Sequence, residues 1–341
     1  MLAARERATG LGELRGGMQA EPAPLVVYTS PHAHSSVAKA ALLAGFGADN
    51  LRHVEVDPRT YAMNPRALAA AIADDVAAGR RPAAVVAAVG TTGTTAVDPV
   101  AEIVTVLDDL GLTPRPWLHV DAAMAGSALL LPECRGLVDG VEAADSLSWN
   151  PHKWLGTILD CSLLYVRDTD HLEQVMSTNP SYLRSAADQA LAAAGVPQYK
   201  DWGIPLGRRF RALKLWFHLR LDGLEAIRAR LRRDLANAAW LADQIEQAPG
   251  WRVLAPVSLQ TVCVRHEPPG TVAADGTVLD GAALDAHTVA WAEAVNSSGR
   301  AFISPALLDG HWMVRISIGA EPTEQSDVAD LWELLQQTCQ K

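Results

Sequence analysis

The stretch PAAVVAAVGTTGTTAVDPVAEIVTVLDDLGLTPRPWLHVD, Pro82 to Asp121, reads as a strand, a helix and a second strand. PAAVVAAVG is a short apolar run that stops at Gly90, the pattern of a buried strand. DPVAEIVTVLDDLG then offers Asp98 as an N-cap, Pro99 at the first helical position and Gly111 as a stop. WLHVD, Trp117 to Asp121, is the next strand. The same alternation continues on both sides. PLVVYTS (Pro24 to Ser30) precedes a helix begun at Ser35 or Ser36, and NLRHVEVD (Asn50 to Asp57) precedes a helix capped by Asn64 and Pro65. DSLSW (Asp145 to Trp149) and CSLLYV (Cys161 to Val166) are further strands. Strands that alternate with helices predict an α/β domain with a largely parallel sheet.

The rest of the chain has a different texture. Met176 to Trp202 is long and mixed, without clear strands, the profile of a functional lid. Helices are expected from about Arg208 to Leu221 and from Leu224 to Ala248. The tail predicts strands at WRVLA, TVCVRHE and WMVRISIG, and helices near Gly281 to Val295 and Thr323 to Cys339. This is a smaller α+β unit. The expected domains are residues 1–222 and 223–341.

Composition excludes several classes. The chain has 341 residues, 49% hydrophobic and 20% charged, enough for a sizeable core. With 29 Lys and Arg against 39 Asp and Glu, the formal charge is −10, which argues against nucleic-acid or anionic-membrane partners. RARLRRD (Arg228 to Asp234) reads as the solvated face of a helix. Four scattered cysteines, Cys134, Cys161, Cys263 and Cys339, form no metal-ligand or disulfide pattern and fit free thiols in a reducing compartment. No apolar run approaches membrane-spanning length, and MLAARERATG lacks a signal-peptide core. A cytoplasmic protein is expected.

In a parallel sheet, ligands sit beyond the strand C-termini. The polar residues there are His34 after the first strand, Thr91 and Thr92 after the third, Asp121 on the fourth, and Asn150, His152 and Lys153 after the fifth. Phosphate-loop, dinucleotide and zinc-protease motifs are missing, and His32 with His34 lacks a third ligand, so no metal is expected. A lysine after a buried strand is reasonable on the surface, or as a neutral amine or imine doing chemistry. A lysine, an aspartate and a histidine on one rim suit pyridoxal 5'-phosphate. The amine condenses with its aldehyde, the carboxylate pairs with the protonated ring nitrogen and the imidazole covers a ring face.

HVDAAMAG (His119 to Gly126) and SWNPHKW (Ser148 to Trp154) resemble two hallmark stretches of the group II pyridoxal-phosphate-dependent decarboxylases. The aromatic-L-amino-acid decarboxylase branch is the most similar. SPHAHSSVAKAALLAG, AAVGTTGTTAVDPV, LDCSLLYVRD and DWGIPLGRRFRALKLWF resemble it in order and spacing, from about Leu2 onward and more weakly after residue 250. The resemblance implies a fold-type I architecture: a mostly parallel sheet of the seven-stranded type with a smaller C-terminal domain. It also implies decarboxylation of an aromatic L-amino acid such as DOPA, tryptophan, tyrosine or phenylalanine.

Roles follow for the matched positions. Lys153 would hold the cofactor, Asp121 would bind the pyridine nitrogen and His34 would stack on the ring. The bland alternatives are a surface lysine, a turn aspartate and a core histidine. Thr92 and Ala123 would line the ring's edges and face, against a turn threonine and a packing alanine. Asn150 and His152 would reach the phosphate, against a structural loop role. Tyr182 matches the family's loop tyrosine, which would protonate Cα and serve the neighbouring subunit, so a homodimer with shared active sites is implied; the alternative is a packing aromatic. Members with phenylalanine at that position tend towards aldehyde formation. Gly207 leaves room for an indole. In the family, a Gly/Ser/Ala-rich turn that cups the phosphate precedes the region matching Leu2 onward, so the expectation for this chain is weak cofactor binding. The rival readings are a catalytically idle relative and a decarboxylase of glutamate or a diamine.

Overall fold

The structure is a computed structural model that describes residues 1–178, 190–191 and 193–339. Its larger sheet is formed by β1 (Leu25–Thr29), β2 (Leu51–His53), β3 (Arg81–Ala88), β4 (Trp117–Asp121), β5 (Ser146–Trp149) and β6 (Leu163–Val166), in the order β2-β1-β3-β4-β5-β6. The first five strands run parallel and β6 is antiparallel to β5. Ala88 pairs with Asp121, and Asp121 with Ser148, so three neighbouring strands end on one line.

Both faces of this sheet are covered, which is why its strands read as nearly continuous apolar runs. Val85 and Ala87 of β3 and Leu118 and Val120 of β4 meet α3 (Pro65–Ala77) and α4 (Val100–Asp109) on one face. Ala84, Val86 and Trp117 meet α1 (Leu2–Thr9), α2 (Ser36–Leu43) and α5 (Thr169–Met176) on the other. Asn64 caps α3 as expected, its side chain accepting from the backbone N–H groups of Arg66 and Ala67.

After α6 (Ala212–Asp222), the long α7 (Leu224–Gln247) packs Ile227 and Leu231 against the first core and Leu241 and Ile245 against a second. The second core lies on an antiparallel sheet, β7-β8-β10-β9, of Trp251–Val253, Thr261–His266, His311–Ser317 and Ser304–Leu308. Helices α8 (Gly281–Ser297) and α9 (Gln325–Thr338) complete it. Among the described residues, no helix is long and apolar enough to cross a membrane.

Several local expectations are corrected. Six strands form the larger sheet among the described residues, and β6 is its edge, with Leu164 and Tyr165 each 52% exposed. The tail also holds a strand that the sequence reading lacks, Ser304–Leu308; it lies at a sheet edge, where its Pro305 is tolerated. Asp98 does not cap α4. Its carboxylate is fully buried and accepts from Met63 N and Ala88 N, both at 2.7 Å. The helix after Arg208 begins only at Ala212. The arginines of RARLRRD are not simply solvated: Arg230 is inserted against Asp234 and binds the carbonyls of Trp154 and Leu155, while Arg232 meets Glu133.

Candidate active site

The C-terminal ends of β1, β4 and β5 open onto a cavity of about 890 Å³. Six expected residues line it: His34, Asp121, Ala123, Asn150, His152 and Lys153. Strand alternation explains the composition of its floor. Trp117, His119 and Asp121 lie at successive second positions of β4, and Ser146, Ser148 and Asn150 continue in the same way along and past β5. The residues between them, Leu118 and Val120, are buried on the opposite face.

Asp121 stands at the last position of β4. Its Oδ1 accepts from Ala123 N at 3.0 Å and from Ser148 Oγ at 3.4 Å, and Oδ2 has no partner among the described residues. Beyond β5 the backbone continues to pair, with Asn150 N donating to Ala123 O at 3.0 Å. A tight turn follows, in which Lys153 N donates to Asn150 O and Gly156 N to Lys153 O. Lys153 is exposed on the cavity rim, so the cost of burying an ammonium does not arise there. Trp154 and Leu155 behind it are buried and anchor the turn.

His34 lies just before α2, exposed, and its Nδ1 accepts from Ser36 N at 3.2 Å, which leaves Nε2 to carry the proton. His152 is tied through Nδ1, 2.6 Å from Cys161 O and 3.0 Å from Cys161 N. Asn150 Oδ1 accepts from Ser162 Oγ at 2.6 Å, leaving its amide hydrogens for another partner. Thr92 is placed differently. It lines a neighbouring cavity of about 290 Å³ with Gln260, Ser317 and Gly319, and Lys153 borders both spaces. Tyr182 lies outside the described residues. Gly207 is exposed, with nothing within 4 Å of where a Cβ would stand.

Sequence reasoning missed His119. It lies beside Asp121 on the cavity floor, and burial drives its pKa well below the ordinary imidazole value despite the nearby Asp121 charge. Its position two residues before Asp121 on a strand was the signal that could have found it. Arg230 was missed as well. Nothing in RARLRRD distinguishes it from its neighbours, and only packing selects it.

The donor set fits pyridoxal phosphate. A carboxylate with one free oxygen, an accessible primary amine and an imidazole with one committed nitrogen share one cavity, with amide and imidazole groups beside them.

Residues 1–267 match the pyridoxal-dependent decarboxylase conserved domain. Phenylacetaldehyde synthase of Arabidopsis thaliana is 41% identical over 314 residues, covering 92% of this chain and 61% of that protein. Tryptophan decarboxylase 2 of Oryza sativa subsp. japonica is 39% identical over 342 residues, covering 100% of this chain and 65% of that protein. The crystal structure of Oryza sativa TDC with PLP and tryptamine superposes with a TM-score of 0.90 at 36% identity, over 99% of this chain and 67% of that one. The chain therefore spans less than two thirds of the length of these two sequence relatives.

Proposed function

This chain belongs to the pyridoxal-dependent decarboxylase family, and on that footing we propose that it decarboxylates an aromatic L-amino acid to the amine and carbon dioxide. The meeting of Asp121, Lys153 and His34, from three separate strand ends, at one cavity supports this reading above all. The names of the relatives, a tryptophan decarboxylase and a phenylacetaldehyde synthase, point to aromatic substrates.

Pyridoxal phosphate supplies an aldehyde for the amine and a protonated ring that draws electrons from Cα when the carboxylate leaves. Lys153 would hold the cofactor through its amine, Asp121 would offer Oδ2 to the ring nitrogen and His34 would cover a ring face. Asn150 and His152 would bind phosphate oxygens and Ala123 would line the ring, while Thr92 lines the neighbouring cavity that Lys153 also borders. Breaking the bond between Cα and the carboxyl carbon leaves an electron pair at Cα, and the Tyr182 hydroxyl returns a proton there. The tyrosine favours the amine over the aldehyde.

The loop with Tyr182 serves the neighbouring subunit, so the working unit is a homodimer with shared sites. Exposed apolar side chains support a second copy: Phe210, Trp216, Phe217 and Leu221 are each at least 48% exposed, and α6 buries none of its residues. The two-domain division at 222/223 belongs to the same reading and is supported by the separate cores that α7 joins. Four free cysteines fit the cytoplasm.

The test is direct. Borohydride reduction of the chain with pyridoxal phosphate, followed by peptide mapping, should find the cofactor on Lys153. Carbon dioxide, amine and aldehyde are then measured with L-tryptophan, L-tyrosine, L-DOPA, L-phenylalanine and L-glutamate. An adduct elsewhere, or none, removes Lys153 from its role. Turnover of glutamate alone overturns the substrate class.

A further inference from the structure

We propose that His119 is a positioning residue for Asp121: acting through Ser148, it commits Oδ1 to protein donors so that Oδ2 alone faces the ring nitrogen of the cofactor. This rests on the reading of the cavity as a pyridoxal-phosphate site.

The observation is a chain of polar contacts across the cavity floor. Trp117 Nε1 donates to Ser146 Oγ at 2.8 Å. Ser146 Oγ is 2.8 Å from His119 Nδ1. On the other side of the ring, Nε2 is 3.4 Å from Ser148 Oγ, which is in turn 3.4 Å from Asp121 Oδ1.

The ends of this chain fix its direction. An indole N–H only donates, and an ionised carboxylate only accepts. Each serine has one hydrogen. If Ser146 accepts from Trp117 and gives its hydrogen to Nδ1, neutral His119 carries its proton on Nε2. That proton points to Ser148, whose own hydrogen goes to Asp121. Every hydroxyl then accepts once and donates once, and both ends are satisfied. The low pKa of His119 keeps the ring neutral at neutral pH, which the arrangement requires.

Strand register makes the relay possible. His119 pairs with Ser146, and Asp121 with Ser148, so the four side chains alternate across two adjacent strands. With Ala123 N also bound to Oδ1, that oxygen has two donors. A carboxylate held in this way turns its other oxygen outward without needing a cofactor to orient it.

The experiment has one arm without cofactor and one with it. In the cofactor-free chain labelled with nitrogen-15 histidine, long-range proton–nitrogen spectra should show His119 as the Nε2–H tautomer at pH 7, and Ser148→Ala should shift its Nε2 signal. An Nδ1–H tautomer overturns the relay. In the second arm, Ser148→Ala and His119→Phe should each weaken pyridoxal phosphate binding about tenfold. The double variant should lose no more than either single one, as expected for groups that act through each other, and Ser148→Thr should restore binding. The ring-nitrogen transition in the bound cofactor's absorbance should move to lower pH in Ser148→Ala, which a purely structural loss would not produce. If His119→Phe does not fold, Ser148→Ala against Ser148→Thr carries the comparison. Tight binding and an unmoved transition in Ser148→Ala overturn the positioning role alone. A parent chain that binds no pyridoxal phosphate overturns the site reading and, with it, this proposal.

Discussion

Arg230, on the helix that joins the two cores, donates to Leu155 O at 2.7 Å, two residues beyond Lys153. The same guanidinium reaches Trp154 O and pairs with Asp234, whose Oδ2 accepts from Trp154 Nε1 at 2.9 Å. The turn that carries Lys153 is thus held from behind by a residue more than seventy positions away.

Arg230→Met should cost stability heavily. Asp234 is fully buried, and removing its partner leaves a desolvated charge. Breaking such a pair from one side costs about 3–5 kcal/mol. Urea denaturation should show the loss, and adding Asp234→Asn should recover part of it. A loss under about 0.5 kcal/mol, the range of ordinary surface changes, would contradict the clamp.

Asp98 gives a pH prediction. Burial raises its carboxyl to about 6, whereas an unfolded aspartate titrates at about 3.9. Between these values the folded chain holds a proton that the unfolded chain has lost. The stabilisation is therefore full below about pH 4 and is lost as pH rises to 6, for a total of about 3 kcal/mol. The stability of the parent minus that of Asp98→Asn should accordingly increase as pH falls from 7 to 4.5. A difference independent of pH would show that Asp98 is ionised across the range.

Gly126→Ala should be destabilising by about 2 kcal/mol. A Cβ there would lie 2.6 Å from Trp149 Cγ, and the indole is itself held by its N–H bond to Ser127 Oγ. Thermal denaturation of the variant measures the cost, and an unchanged midpoint would mean that Trp149 can move aside.

Asp121→Asn should keep the fold and lose most decarboxylation, because an amide does not hold the ring nitrogen in its protonated form. Circular dichroism and carbon dioxide release, measured together, separate the two effects. Full activity would remove Asp121 from the mechanism.

Mixing Lys153→Ala subunits with Tyr182→Phe subunits should restore some amine production, since one site of each heterodimer then has both groups. Verified heterodimers with no rescue would show that the loop serves its own subunit.

The sequence alone determined the local elements and the chemistry of the rim. Asn64 followed by Pro65 reads as a helix start because the cap uses donors only two and three residues away. The apolar runs at Val85 and Val120 mark buried strands because both faces of the sheet are covered. Lys153 and Asp121 were legible from their motifs. What only the tertiary structure decided involves partners distant in sequence. Asp98 looks like a helix cap, yet its carboxylate serves Met63 and Ala88 because a buried carboxylate takes the backbone donors that the packed strands present. Arg230 looks like its arginine neighbours until α7 is docked. Thr92 follows a strand as His34 does, yet the fold places it on the far side of Lys153. His119 reaches Asp121 through Ser148 only once β4 and β5 pair in register, 27 residues apart in the chain. Caps and strand periodicity depend on nearest neighbours, which a sequence displays. Hydrogen-bond partners across strands and buried ion pairs depend on register and docking, which it does not.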